Sequence, residues 1–201
     1  MPDCEMAVFK RKKLVPILWL MPAPPARDFL RATVERLARR HDAPIFEPHL
    51  TLGVSAEMPV LLQQIVAGPI RLRKVGTFFS SVFTKTLFVR FELTPALESL
   101  RLALGMNDVR YDPHLSLLYR KLPMEEKARL ARSVSLPFAT ITFDRIAFVR
   151  CVSPTRHRAD VESWQFLAAV KLRSTARKRA RRAGKVTPEH KQTASAIRKK
   201  E

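Results

Sequence analysis

Asp112-Pro113-His114-Leu115-Ser116-Leu117 repeats a phrase that the chain has already written as Glu47-Pro48-His49-Leu50-Thr51-Leu52. Both read acid, proline, histidine, leucine, hydroxyl, leucine. In an extended strand successive side chains point to opposite faces, so His49 and Thr51 share one face while Leu50 and Leu52 share the other. His114 and Ser116 repeat that geometry. A single His-x-Thr is usually an ordinary polar pair on a strand. Two copies with the same proline and the same leucines present an imidazole and a hydroxyl side by side twice, and two such strands can frame one small polar object.

Working outward from the two phrases, each is preceded by a strand and a helix. Leu14 to Leu20 reads as a short buried strand stopped by the prolines at 22, 24 and 25. From about Arg27 to Arg40, Leu30, Val34, Leu37 and Ala38 fall at helical spacing, with Glu35 and Arg39 placed for an i,i+4 pair. The first histidine strand runs from about 45 to 54. Ser55 then caps an expected helix that ends at Gly68, and a strand follows from Ile70 to Val75.

Gly76 is expected to turn the chain, with Thr77 to Phe83 and Leu87 to Leu93 as two β-rich runs. Thr94-Pro95 opens a helix that stops at Gly105, and the second histidine strand spans 111 to 119. A helix from Pro123 to about Ser133 has acids at its positive end. Strands are expected at 138–143, 146–152 and 164–172, with a polar loop holding His157 between the last two. The order strand, helix, histidine strand, helix, strand thus occurs twice. This predicts an α+β, bilobal architecture: two pseudo-symmetric lobes with antiparallel sheets lining a central cleft and helices outside.

The 201 residues carry a formal net charge of +19, and 46% of them are hydrophobic, enough for a real core. From Lys171 to Glu201 there are 12 basic and 2 acidic residues, so about half the net charge sits in a tail with little to pack. The expected organisation is a basic lead-in at 1–13, a two-lobed catalytic domain at 14–172 whose lobes mix the halves 14–75 and 76–172, and a solvated basic tail at 173–201. Positive charge on this scale favours polyanionic partners. Cys4 and Cys151 make neither a disulfide framework nor a zinc set, so a reducing cytoplasm is the expected compartment. Lys10-Arg11-Lys12-Lys13 ahead of Leu14 imitates a secretory leader, but the apolar run is short and holds Pro16. No run approaches the ~20 apolar residues of a membrane span.

Two histidines facing a common centre can divide proton work without a metal, one imidazole taking a proton from water and the other giving one to a leaving oxygen. The hydroxyls of Thr51 and Ser116 can donate to the non-bridging oxygens of a phosphodiester. Ser116 lacks the acid and the glycine-flanked elbow of a serine nucleophile, and no third or fourth ligand accompanies the histidines at metal-binding spacing. His41, His157 and His190 sit in polar, basic stretches and read as surface residues.

With these flanks the chain resembles the two-histidine phosphoesterase superfamily, and within it the cyclic phosphodiesterase family. The landmarks are Leu18-Trp19-Leu20-Met21-Pro22, Phe46-Glu47-Pro48-His49-Leu50-Thr51, Gly76-Thr77-Phe78-Phe79, Pro113-His114-Leu115-Ser116-Leu117-Leu118-Tyr119 and Glu162-Ser163-Trp164, in order over about 14–172. The resemblance implies a bilobal fold and hydrolysis of 2',3'-cyclic nucleotides or ADP-ribose 1'',2''-cyclic phosphate to monoesters, with no cofactor. It implies His49 and His114 as the acid–base pair, Thr51 and Ser116 as the phosphate clamp, and Trp19 and Tyr119 as substrate contacts. A monomer acting on a small cyclic phosphate is expected. The basic tail keeps two alternatives open: an RNA-end processing enzyme of the 2',5'-RNA phosphoesterase or ligase type, or a non-catalytic RNA-binding protein.

Overall fold

Pro16 and Pro22 do not break the first strand, because β1 (Leu14–Pro22) is long enough to keep its interior residues Leu18, Leu20 and Met21 buried between two neighbours. The computed structural model describes residues 13–55, 67–108 and 110–173. The expected helix after Ser55, most of the lead-in and most of the basic tail therefore lie outside the described residues. The remaining elements are α1 (Ala26–His41), β2 (Leu50–Val54), β3 (Ile70–Phe79), β4 (Leu87–Phe91), α2 (Pro95–Ala103), β5 (His114–Leu118), α3 (Met124–Ser133), β6 (Thr140–Val152), α4 (Arg158–Glu162) and β7 (Gln165–Lys171).

The strands hydrogen-bond in the order β1-β2-β5-β4-β3-β6-β7, all antiparallel, and β6 also pairs with β1. The long β6 explains this. Its first residues, Thr140 to Phe143, pair with β3, and from Phe143 onward it pairs with β1 while Arg145 to Arg150 also pair with β7. The pairings thus resolve into β7-β6-β1-β2 and β6-β3-β4-β5, with one shared strand and a histidine strand at the end of each run. Those ends touch through a single registered pair, Leu50 with Leu115.

Within these runs the units β1-α1-β2 and β4-α2-β5 correspond, each pairing a strand with the histidine strand that follows its helix. Their helices form for ordinary reasons. Leu30, Val34, Leu37 and Ala38 of α1 are buried, and Glu35 pairs with Arg39 at 3.5 Å. In α2 the Thr94 hydroxyl accepts from the Leu97 N–H at 3.3 Å, a cap of about 1 kcal/mol. Gly105 ends the turn with φ at 76°, the left-handed region glycine enters without steric cost.

Four expectations change. The strands at 70–75 and 77–83 are one continuous β3, because Gly76 marks a register shift against β4 and not a reversal; the chain turns at Ser80 to Thr86 instead. The strands at 138–143 and 146–152 are likewise one β6, since Phe143 and Arg145 both stay paired with β1, opposite Pro22 and Met21, and the register shift at Asp144 does not end the strand. The loop holding His157 contains the short helix α4, whose start is set by the His157 N–H donating to Asp160 at 3.0 Å. His41 is not a surface residue. Its side chain is 7% exposed, with Nδ1 3.2 Å from Glu126 of α3, and burial lowers its pKa.

Candidate active site

The two histidine phrases differ from ordinary strands at their first residue. His49 precedes β2 and His114 opens β5, and in each case Nδ1 lies 2.7 Å from the carbonyl oxygen two residues back, Glu47 for His49 and Asp112 for His114. A carbonyl only accepts, so Nδ1 carries the hydrogen and Nε2 keeps the lone pair of the neutral ring. The proline between acid and histidine fixes φ in that turn, which holds the carbonyl in reach of its own imidazole. The repeated phrase is therefore a repeated tautomer lock.

Both rings, with Thr51 and Ser116, line one cleft of about 400 Å³, whose walls also include Trp19, Tyr119 and Trp164 and the turn residues Phe83 and Thr84. Leu50, Leu52, Leu115 and Leu117 are at most 1% exposed on the opposite faces. The alternation read from the sequence therefore places imidazole and hydroxyl on the cleft side in both strands.

The two halves are not alike in their surroundings. Trp19, in register with Thr51, stacks on His49 at 3.6 Å and 10°, and Phe46 and Trp164 meet the same imidazole edge-on. That aromatic enclosure leaves His49 5% exposed, and burial pushes its pKa down to about 4, with the nearby His114 lowering it further. The register equivalent of Trp19 is Phe88, opposite Ser116, and it meets His114 edge-on at 5.5 Å.

Around His114 there is charge instead. Asp112 is paired with Lys85 at 3.0 Å and Arg90 at 2.9 Å. Burial works against its charge, but Lys85 and Arg90 hold its carboxyl below the ordinary range. Burial also lowers the pKa of His114, offset in part by the Asp112 carbonyl.

The hydroxyls differ as well. Thr51 is exposed to the cleft, whereas Ser116 is buried and donates to the Thr84 carbonyl at 2.6 Å. Tyr119 is 4% exposed, stacked on Phe46 at 4.0 Å, and its phenol pKa is raised by burial. It is wall as much as contact surface. Trp19 is both, since the face that lines the cleft belongs to a ring packed on His49.

The sequence reading gave Trp164 only as part of a landmark of the resemblance and left Tyr111, Arg101 and Gly53 without a role in the site. Trp164 contacts Trp19, Phe46, His49 and Tyr119, and its buried indole N–H finds no acceptor among the described residues. Tyr111 donates to the Thr51 carbonyl at 2.7 Å and lies 3.6 Å beneath the Arg101 guanidinium, which donates to the Leu52 carbonyl at 3.2 Å and pairs with Asp108. A lone tyrosine or arginine carries no signal of this kind. Gly53 does, once structure is known: a Cβ there would lie 2.8 Å from Met106 Sδ. Cys151 is buried at the cleft wall, its thiol pushed up to about 12 by burial, too high for a nucleophile at neutral pH. Among the described residues no cluster of three or more His, Cys, Asp or Glu could hold a metal ion, and no helix is long and apolar enough to cross a membrane.

No family model matches the chain. It is 26% identical over 178 residues to the cyclic phosphodiesterase of Arabidopsis thaliana, an alignment that spans 80% of this chain and 97% of the plant protein. Among solved structures, E. coli LigT complexed with phosphate superposes with a TM-score of 0.48 at 17% identity, covering 79% of this chain and 97% of LigT. LigT complexed with 3'-AMP gives 0.49 at 13% identity, covering 79% and 98%.

Proposed function

We propose that this chain, a distant member of the two-histidine phosphoesterase superfamily, hydrolyses cyclic phosphodiesters, 2',3'-cyclic nucleotides or ADP-ribose 1'',2''-cyclic phosphate, to phosphomonoesters. The observation that carries this reading is the duplicated lock: two imidazoles in one cleft, each with Nδ1 held by the carbonyl two residues back, each beside a hydroxyl. In-line displacement at phosphorus needs a proton acceptor on the water side and a proton donor on the leaving side. Two Nε2 atoms answer that need.

The unequal surroundings support a division of roles. His49, enclosed by aromatic rings and neutral above about pH 4, accepts the proton of the attacking water. His114, less buried than His49 and with its proton affinity raised by the Asp112 carbonyl, gives a proton to the departing ribose oxygen. The new bond joins the water oxygen to phosphorus, the old ring P–O bond breaks, and the two imidazoles end with their protonation exchanged until solvent resets them. Thr51 donates to one non-bridging oxygen. Ser116 donates to the other by turning its hydroxyl from the Thr84 carbonyl.

Turnover of 2',3'-cyclic AMP in excess chelator, with chromatography that separates 2' from 3' monoesters, tests the reading. Wild type should open the ring and the His49→Gln and His114→Gln variants should do so at least ~10²-fold more slowly; no turnover by wild type defeats it. Because burial lowers both pKa values, that of His49 to about 4, kcat/KM should peak in acidic solution and decline toward neutral pH.

The charge of the tail supports a second reading, in which the cyclic phosphate ends an RNA strand. Full-length protein should then prefer a cyclic-ended oligoribonucleotide to the mononucleotide, with a preference that shrinks as salt rises. Equal efficiency at low salt removes that reading.

A further inference from the structure

The side of the cleft remote from the two imidazoles is closed by Ser153 to Arg156, the segment that leaves β6 at Val152. Its backbone is fixed at both ends. The Thr155 hydroxyl donates to the Val152 carbonyl at 2.7 Å, and the N–H groups of Arg156 and His157 donate to the buried carboxylate of Asp160 at 2.8 and 3.0 Å. The Arg156 side chain is exposed from this anchored base.

Neighbouring cations are already matched. Lys85 and Arg90 sit on Asp112, and Arg120 and Arg158 sit on Asp42. Arg156 is the one arginine or lysine among the described residues that line the cleft.

Strand register says how far this charge stands from the reaction. Trp19 is opposite Thr51 on one side and Ala147 on the other, whereas Cys151 is opposite Val15. Four residues of β1 separate the two rows, roughly 13 Å at the usual strand rise. Ile17, midway, also lines the cleft, so the space is continuous between them.

We propose that Arg156 is a specificity-determining residue that binds a second, non-reacting phosphate, so that the preferred substrates are cyclic phosphates carrying another phosphate elsewhere in the molecule. The inference rests on the hydrolase reading above and names its substrate class. A guanidinium presents two parallel donors to a phosphate, and its fixed charge needs no protonation step. The second phosphate is either a chain diester or a pyrophosphate. Both offer the same recognition chemistry.

Calorimetry on the full-length protein tests the subsite without requiring turnover. Wild type should bind adenosine 2',5'-bisphosphate about tenfold more tightly than adenosine 2'-monophosphate, the size of one charge-assisted hydrogen bond. Arg156→Ala should bind the two alike, and Arg156→Lys should keep part of the preference. Equal binding of the two ligands by wild type, or a preference that survives in Arg156→Ala, overturns the proposal.

Kinetics then identifies the source. The kcat/KM ratio of a cyclic-ended dinucleotide, or of a cyclic nucleotide bearing a 5'-pyrophosphate, to 2',3'-cyclic AMP should fall about tenfold in Arg156→Ala. A gain confined to the dinucleotide identifies a chain diester, and one confined to the other identifies a pyrophosphate. No gain with either overturns the proposal. If wild type hydrolyses none of the three, the hydrolase reading fails, and the calorimetric ratio still decides the subsite.

Discussion

β2 and β5 carry the same phrase in opposite settings. His49 is walled by Trp19, Phe46 and Trp164, while His114 stands beside Asp112, Lys85 and Arg90, with Phe88 the one aromatic ring in contact with it among the described residues. Thr51 is exposed to the cleft, whereas the Ser116 hydroxyl donates a hydrogen bond to the Thr84 carbonyl. Identical local sequence thus fixes the tautomer in both copies, and the neighbouring elements set the proton affinity. A pseudo-symmetric frame with unequal walls can hold one imidazole neutral and leave the other nearer to protonation, which two equal sites would not do.

The sharpest way to break this comparison is to remove each ring. His49→Gln and His114→Gln should each lower kcat/KM at least ~10²-fold, the ordinary range of an acid–base contribution. Their pH profiles should differ. Loss of His49 should erase the acidic limb near pH 4, and loss of His114 the limb at higher pH, with residual rates measured on 2',3'-cyclic AMP. Identical residual profiles would mean that the two walls do not divide the roles.

The aromatic wall has a thermodynamic signature too. Because His49 titrates at about 4 in the folded chain and near 6.5 unfolded, the unfolded state binds more protons between those values. Stability is therefore full above about pH 6.5, falls as pH drops through that window and levels below 4, a loss of about 3 kcal/mol. Urea midpoints from pH 4 to 7 should show this slope in wild type and a reduced one in His49→Gln, and a slope that is the same in both would place the proton elsewhere.

Both histidine strands, and the helices before them, were legible because alternation and capping are local. His49, Thr51, His114 and Ser116 declare their shared face by spacing alone, and Thr94-Pro95 declares its helix by chemistry confined to four residues. The continuity of β3 through Gly76 and of β6 through Asp144 was not legible, because a ladder is kept by partner strands distant in sequence. His41 misled for the same reason: its basic neighbours suggested a surface, and the Glu126 that faces it lies 85 positions away. The inequality of the two walls was hidden most deeply, since Trp164, which meets His49, lies 115 positions further along the chain.

The hydroxyls sharpen the comparison next. Thr51→Val removes a donor already turned to the cleft and should lower kcat about 10²-fold, as for an oxyanion donor. Ser116→Ala removes a donor that must first leave the Thr84 carbonyl, so its effect on kcat should be smaller, about tenfold. The same change strands that carbonyl and should cost about 1–3 kcal/mol of stability by urea titration. A larger catalytic loss in Ser116→Ala than in Thr51→Val would show that Ser116 stands ready toward the cleft.

The smallest expected effect concerns how the two strands are held. β5 pairs with β4 at four positions from Leu87 to Arg90, but β2 meets β5 only at Leu50. Beyond that pair, the carbonyls of Thr51 and Leu52 accept from Tyr111 and Arg101, side chains that stand in for missing ladder bonds. Tyr111→Phe keeps the ring under Arg101 and deletes one hydrogen bond, so stability should fall by about 0.5–1.5 kcal/mol. If that bond also aims Thr51, the loss in kcat should be a few-fold with KM little changed, and it should vanish in a Thr51→Val background because the group being aimed is gone. An additive loss in the double variant would make Tyr111 a brace for the strand alone.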